Sequence, residues 1–256
     1  MKFGVCCSVG QAAAAKKIGF DYWELNLREL AQMDEEAFKA YLEQVQACGL
    51  PAEAANCFFP AQIRITGEGA DLNKIADYAR LALSRAAAAG VKIVVFGSGD
   101  ARKIEEGFDP ARAYAQFVEA LRVVGKIAGE YGVMIAVEPL RKAEDNLINT
   151  VPQGLQAARE AANPNVAGLA DLYHMKSEQE SFSEIGTYGQ ELIHIHIASA
   201  DRRYPHSEDG QGSEYAQFAE ALRACRYQGR ISIEAGTSDF EKDAARSLSL
   251  LQSFAF

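Results

Sequence analysis

Four side chains able to bind a metal follow one another down the second half of this sequence. They are Glu138 in Val137-Glu138-Pro139, Asp171 in Leu169-Ala170-Asp171, His196 in His194-Ile195-His196 and Glu234 in Ser232-Ile233-Glu234. Each closes a short apolar run of the kind that forms a buried parallel strand. Three carboxylates and one imidazole make a hard, oxygen-rich donor set. That set favours Mn²⁺, with Mg²⁺ or Co²⁺ also accommodated, over a thiolate-loving metal. Four protein ligands leave positions for two oxygens of a substrate. A cation there would act as a Lewis acid on a carbonyl, so that a proton on the next carbon can leave. Singly, each residue has an ordinary alternative. Asp171 could cap a helix, Glu138 could be a solvated loop residue, Glu234 could pair with an arginine, and His194 and His196 could be satisfied core histidines. Four such residues on four successive run ends are a more specific signal than any one of them.

The elements that must position these groups alternate from end to end. Strand candidates are Lys2–Cys6, Tyr22–Asn26, Ala52–Asn56, Val91–Phe96, Val133–Val137, Val166–Ala170, Leu192–Ile197 and Ile231–Ile233. Between them run helical patterns such as Asp34–Cys48, Asp71–Ala89, Pro110–Tyr131, Val151–Ala161, Glu214–Cys225 and Phe240–Gln252. Asp109-Pro110 reads as an N-cap followed by proline at the first helical position. Gly49, Gly90, Gly132 and Gly229 fall where helices stop and strands begin. Eight strand–helix units predict an α/β (β/α)8 TIM barrel in one domain over residues 1–256, in which consecutive strands are neighbours and their C-terminal ends carry the chemistry. The competing open doubly wound sheet wants a glycine-rich phosphate loop after the first strand, and Ser8-Val9-Gly10-Gln11 is not one.

Composition excludes other classes. A net charge of −9 argues against a nucleic-acid partner. The five cysteines form no CxxC pair and suit a reducing cytoplasm. No uncharged run is long enough to span a bilayer, and the N-terminal apolar run is too short for a signal peptide.

Several further motifs accompany the four donors. They are Val94-Val95-Phe96-Gly97-Ser98-Gly99 with Arg102 after it, Val137-Glu138-Pro139-Leu140 with Glu144 and Asn149-Thr150, Asp171-Leu172-Tyr173-His174-Met175, and Asp201-Arg202-Arg203-Tyr204-Pro205. With these the chain resembles the xylose isomerase-like barrels, most closely the ketose 3-epimerases of the D-tagatose/D-psicose type and their hydroxypyruvate isomerase relatives. The resemblance implies one divalent metal on Glu138, Asp171, His196 and Glu234. It implies substrate contacts from Glu144, His174 and Arg202, and Glu138 and Glu234 as acid and base on opposite faces of the substrate. It also implies a small sugar or keto-acid substrate handled through a cis-enediolate, and it allows a homodimer. Glu24 matches a recurring carboxylate whose role is either a structural hydrogen bond or substrate contact.

The same site would serve ketose 3-epimerisation, aldose–ketose isomerisation or, if water is then lost, dehydration of a keto-inositol. Apurinic-site endonucleases resemble the chain at Asp171 and His174 but carry further metal-binding histidines, one of them where this sequence has Gly97. His174 could instead support Asp171, and Arg203 could form a surface ion pair. Phe58-Phe59-Pro60 could wall the pocket or pack beneath it. Thr237 or Ser238 could cap the last helix or bind a phosphate.

Overall fold

The computed structural model describes residues 1–254. The last two residues of the domain expected over 1–256 lie outside the described residues. The chain opens with β1 (Lys2–Cys6), α1 (Val9–Ile18), β2 (Tyr22–Asn26), α2 (Leu27–Gln32), α3 (Glu35–Cys48), β3 (Ala52–Asn56) and α4 (Leu72–Ala88). It continues through β4 (Ile93–Phe96), α5 (Gly99–Arg102), α6 (Pro110–Glu130), β5 (Met134–Val137), α7 (Val151–Ala161), β6 (Val166–Asp171), α8 (Leu172–Ser177) and α9 (Ser183–Tyr188). It ends with β7 (Leu192–Ile197), α10 (Gly212–Ala224), β8 (Arg230–Ile233) and α11 (Phe240–Gln252). All eight strands are parallel, each pairs with the next, and β8 closes on β1. The eight expected strands are all present, with ends shifted by at most two residues.

Short polar side chains start the helices. Asp34, Asp71, Asp109 and Thr150 each accept a hydrogen bond from a backbone N–H of the first turn of α3, α4, α6 and α7. The cap of α11 is Asp239, so neither Thr237 nor Ser238 does that work; Thr237 Oγ1 donates to Asp243 instead. Gly49, Gly90 and Gly132 have positive φ, as a left-handed helix end requires. Gly229 answers to a different constraint, because a Cβ there would lie 2.3 Å from the Tyr227 hydroxyl.

Side chains alternate between the two faces of each strand. Outward residues such as Val5, Trp23, Leu25, Val94 and Phe96 join the helices in one large core, while Tyr22, Ala54, Ile93, Val95, Ala136 and Leu169 form a second, smaller cluster. Tyr22 is its largest member. Gly4 makes room for its ring, since a Cβ would lie 2.3 Å from it, and the Tyr22 hydroxyl bonds Ser232 Oγ at 2.8 Å. Two residues further along every strand, the same alternation delivers Cys6, Glu24, Asn56, Gly97, Glu138, Asp171, His196 and Glu234 to one ring at the barrel mouth.

Candidate metal centre

Four members of this ring converge. Ligand atoms of Glu138, Asp171, His196 and Glu234 all lie within 4.8 Å of one another. His196 is their hub: its Nδ1 lies 2.9 Å from Glu138 Oε1, 3.6 Å from Glu234 Oε2 and 3.9 Å from Asp171 Oδ2. The group is chemically suited to one divalent cation, with a nitrogen and three carboxylate oxygens facing a common point.

The orientation of His196 is set from across the barrel. Its Nε2 lies 3.0 Å from Glu24 Oε1, while His194 Nε2 lies 2.8 Å from Glu24 Oε2, and all three side chains are buried. A neutral His196 that donates its Nε2–H to Glu24 would direct its Nδ1 lone pair at a cation shared with the three carboxylates, the arrangement in which a carboxylate orients a ligating imidazole. Burial alone would push the Glu24 carboxyl up, but His196 and His194 hold it well below the usual carboxylate range. Burial pushes His194 down and keeps it neutral, whereas at His196 the surrounding glutamates overcome burial and raise its pKa. Both histidines are thus buried and hydrogen-bonded, and one of them also faces the cluster. Glu24 also makes a trio with Cys6 and His196. Burial pushes the Cys6 thiol well up and keeps it protonated, and both Glu24 oxygens are engaged, so this trio supports the larger group.

The ordinary alternatives for the donors also hold in part, without displacing them from the cluster. Asp171 Oδ1 caps α8 by accepting from the His174 backbone N–H at 2.9 Å, which leaves Oδ2 for the cluster. Glu234 pairs with Arg202 at 3.3 Å and accepts from Asn56 Nδ2 at 2.8 Å. Burial, with Glu138 and Asp171 beside it, pushes the Glu234 carboxyl up against the pull of His196 and Arg202.

Glu138 is held from behind. The buried Arg102 donates from Nη2 to the Glu138 carbonyl at 2.8 Å, from Nη1 to the Phe96 carbonyl at 3.1 Å and from Nε to Asp145 at 2.7 Å. Asn149 ties down the same loop by donating to the Leu140 and Asp145 carbonyls. In front, a Cβ on Gly97 would lie 2.1 Å from Glu138 Oε2. A side chain at 97 would require the Glu138 carboxylate to move.

A cavity of about 170 Å³ opens over the cluster, lined among others by Glu138, Glu234, Glu144, Arg202 and Phe59. A groove of about 450 Å³ between α9 and α10 is larger but lined by residues such as Ser181, Gly186 and Glu220, with no donor cluster. Glu144 accepts from Arg141 Nε at 2.7 Å and Arg202 Nη1 at 3.0 Å. Burial opposes its charge, but these partners hold its carboxyl below the ordinary value. Arg202, at a left-handed φ of 57°, thereby bridges Glu144 to Glu234. His174 Nδ1 accepts from the Arg141 backbone N–H at 3.2 Å, which places its ring proton on Nε2, a buried atom with no partner in the structure. Arg203 forms no ion pair among the described residues. Phe59 does wall the cavity, while Phe58 packs behind it against Phe96.

Asn56, Gly97 and Arg141 are parts of this site that sequence reasoning did not assign to it. Asn56 had a legible signal, because it shares the inward parity of Ala54 in β3.

A model of the family described as xylose isomerase-like TIM barrel matches residues 12–254. The chain belongs to that family. Within it, the chain is 30% identical to D-psicose 3-epimerase of Agrobacterium fabrum over 49% of its own length and 43% of the relative's. It is 27% identical to L-ribulose 3-epimerase of Methylomonas sp. over 89% of its length and 78% of that protein's. The match to the first of these thus spans less than half of that relative. The fold agrees with a crystal structure of D-psicose 3-epimerase obtained in the presence of D-fructose, at a TM-score of 0.86 and 21% identity, covering 99% of both chains.

Proposed function

We propose that this xylose isomerase-like barrel is a metal-dependent sugar epimerase that moves a proton next to a carbonyl, with ketose 3-epimerisation as its reaction. The observation that carries this reading is a division of labour within the cluster. Of the four converging donors, only Glu138 and Glu234 also line the cavity. Asp171 and His196 are buried behind them. The two glutamates are therefore the groups that can reach a substrate carbon, as an acid–base pair requires. Sequence likeness to sugar 3-epimerases supports the same conclusion.

Glu138, Asp171, His196 and Glu234 would hold the cation, Mn²⁺ by preference for their oxygen-rich set. Bound there, it would supply Lewis acidity to a substrate carbonyl. Glu234 takes the proton from the adjacent carbon. Glu138 returns one from the opposite face and inverts that carbon. Arg202 and Glu144 hold hydroxyl groups at the cavity wall, while the His174 Nε2–H is buried without a partner among the described residues, outside the cavity lining. Gly97, with no donor atom where a multi-metal nuclease carries a histidine, supports a single-metal enzyme. Five free cysteines suit a reducing cytoplasm, and no helix among the described residues is long and apolar enough to cross a membrane.

Incubating the Mn²⁺-loaded protein with ketoses in D₂O tests the reading by NMR. Deuterium should enter at the carbon next to the carbonyl, accompanied by the C3 epimer. An aldose product would redirect the assignment to aldose–ketose isomerisation, and a new enone absorbance to dehydration. No exchange with any ketose would overturn it.

A further inference from the structure

Arg28 lines the same cavity from the side of β2 and β3. It sits in α2, and its backbone N–H donates to the Cys57 carbonyl at 3.1 Å. Its side chain differs from every comparable arginine in the chain. The seven other arginines that are buried or partly buried each hold a carboxylate within 4.0 Å. Arg28 is partly buried too, yet among the described residues its guanidinium has neither a carboxylate partner nor a hydrogen-bond acceptor. The acids of the cavity are engaged elsewhere: Glu138 with His196, Glu144 with Arg141 and Arg202, and Glu234 with Asn56 and Arg202. Asp100 stands at the exposed rim, also beyond ion-pair reach of Arg28. The charge of Arg28 is felt at Cys57 in the same wall, where it opposes the burial that pushes the thiol up to about 11.

A guanidinium that lines a cavity and has no protein partner keeps its donors free for a ligand. A planar fork of donors in a substrate cavity suits a carboxylate or phosphate. We propose that Arg28 binds an anionic group, carboxylate or phosphate, at the end of the substrate remote from its reacting carbonyl, so that this barrel acts on an acidic sugar in preference to a neutral ketose. Placing the carbonyl at Glu138 and Glu234 rests on the epimerase reading above; anion capture by Arg28 does not.

The test compares three probes that differ at one carbon: D-fructose, its 6-carboxylate D-fructuronate, and D-fructose 6-phosphate. Affinity for the Mn²⁺-loaded wild type and Arg28→Gln is measured by titration calorimetry, alongside proton exchange in D₂O. At least one of the two anions should bind the wild type about tenfold or more tightly than D-fructose, about 1.4 kcal/mol. That preference should weaken with added salt and fall to about twofold or less in Arg28→Gln, with the loss in KM and not in kcat. The two anionic probes separate a carboxylate subsite from a phosphate subsite. D-fructose binding as tightly as both anions, neither anion binding at all, or a preference that survives Arg28→Gln would overturn the proposal. Absence of exchange with all three probes would overturn the epimerase reading, while the affinity ratio would still decide the role of Arg28.

Discussion

The ring at the barrel mouth divides into two unlike halves. From β5 to β8 it reads Glu138, Asp171, His196 and Glu234, every one a potential metal ligand, whereas from β1 to β4 it reads Cys6, Glu24, Asn56 and Gly97. The first half of the barrel reaches across and conditions the second. Glu24 fixes the ring of His196, Asn56 holds one oxygen of Glu234, and Gly97 leaves the space that Glu138 occupies. One half supplies the donors and the other sets their direction, which is how a metal site acquires a defined geometry on a fold shared by many chemistries.

If the first half is structural support, damaging it should cost stability or affinity in proportion to what each residue holds. Arg102 gives the largest effect. Replacing it with Met leaves Asp145 charged and buried without its partner and releases the Glu138 carbonyl. We expect a loss of about 3–5 kcal/mol in urea unfolding. Lysine should not restore it, because a single ammonium cannot reproduce the guanidinium fork on Asp145, Phe96 and Glu138. Unchanged stability in Arg102→Met would show that the loop after β5 is held by other contacts.

Glu24→Gln is a more selective probe of the comparison. The amide keeps the shape but loses the negative charge, and it can meet both histidines only by disturbing one of their tautomers. Mn²⁺ affinity should fall by about ten- to a hundredfold, with the fold intact by circular dichroism. An equal Kd for variant and wild type would remove Glu24 from any role in the site.

The donor half was far more legible in the sequence than the supporting half, for a physical reason. Glu138, Asp171, His196 and Glu234 are ionisable groups at the ends of apolar runs, and their types announce their chemistry. Gly97 announces nothing, since its contribution is the absence of a side chain against Glu138. Arg102 could be placed in a motif, but its bond to a backbone carbonyl 36 residues on depends on β4 and β5 lying side by side. The strands were readable because eight apolar runs are punctuated by caps and glycines. Short helices such as α2, α8 and α9 carry too few turns for a helical period to show. Arg28 was invisible as a site residue because an unpaired charge is defined by its surroundings.

A smaller effect sharpens the comparison from outside the ring. Glu180, just after α8, accepts from the Val151 N–H at the start of α7, and its other oxygen is buried without a partner. Burial pushes its carboxyl up to about 7, with Glu184 and Glu178 adding to the rise and the Val151 bond opposing it. The folded state therefore binds this proton more tightly than the unfolded chain does. Its contribution is fully present below the unfolded value of about 4.3 and is lost as pH rises to about 7, with no further change above. After allowance for solvent screening, the change should be on the order of 1 kcal/mol. Urea unfolding at both ends of that window should show it in wild type and not in Glu180→Gln. An identical slope in both proteins would assign the titration to another group.

The chemistry of the site turns on whether the four converging donors hold one ion. Equilibrium dialysis against Mn²⁺, with metal content read by mass spectrometry, measures this directly in wild type, Asp171→Asn and His196→Ala. The account predicts one ion per chain in the wild type, an affinity lower by about a hundredfold or more in both variants, and loss of proton exchange in parallel. A wild type that retains no Mn²⁺, or variants that bind it as the wild type does, would contradict the account.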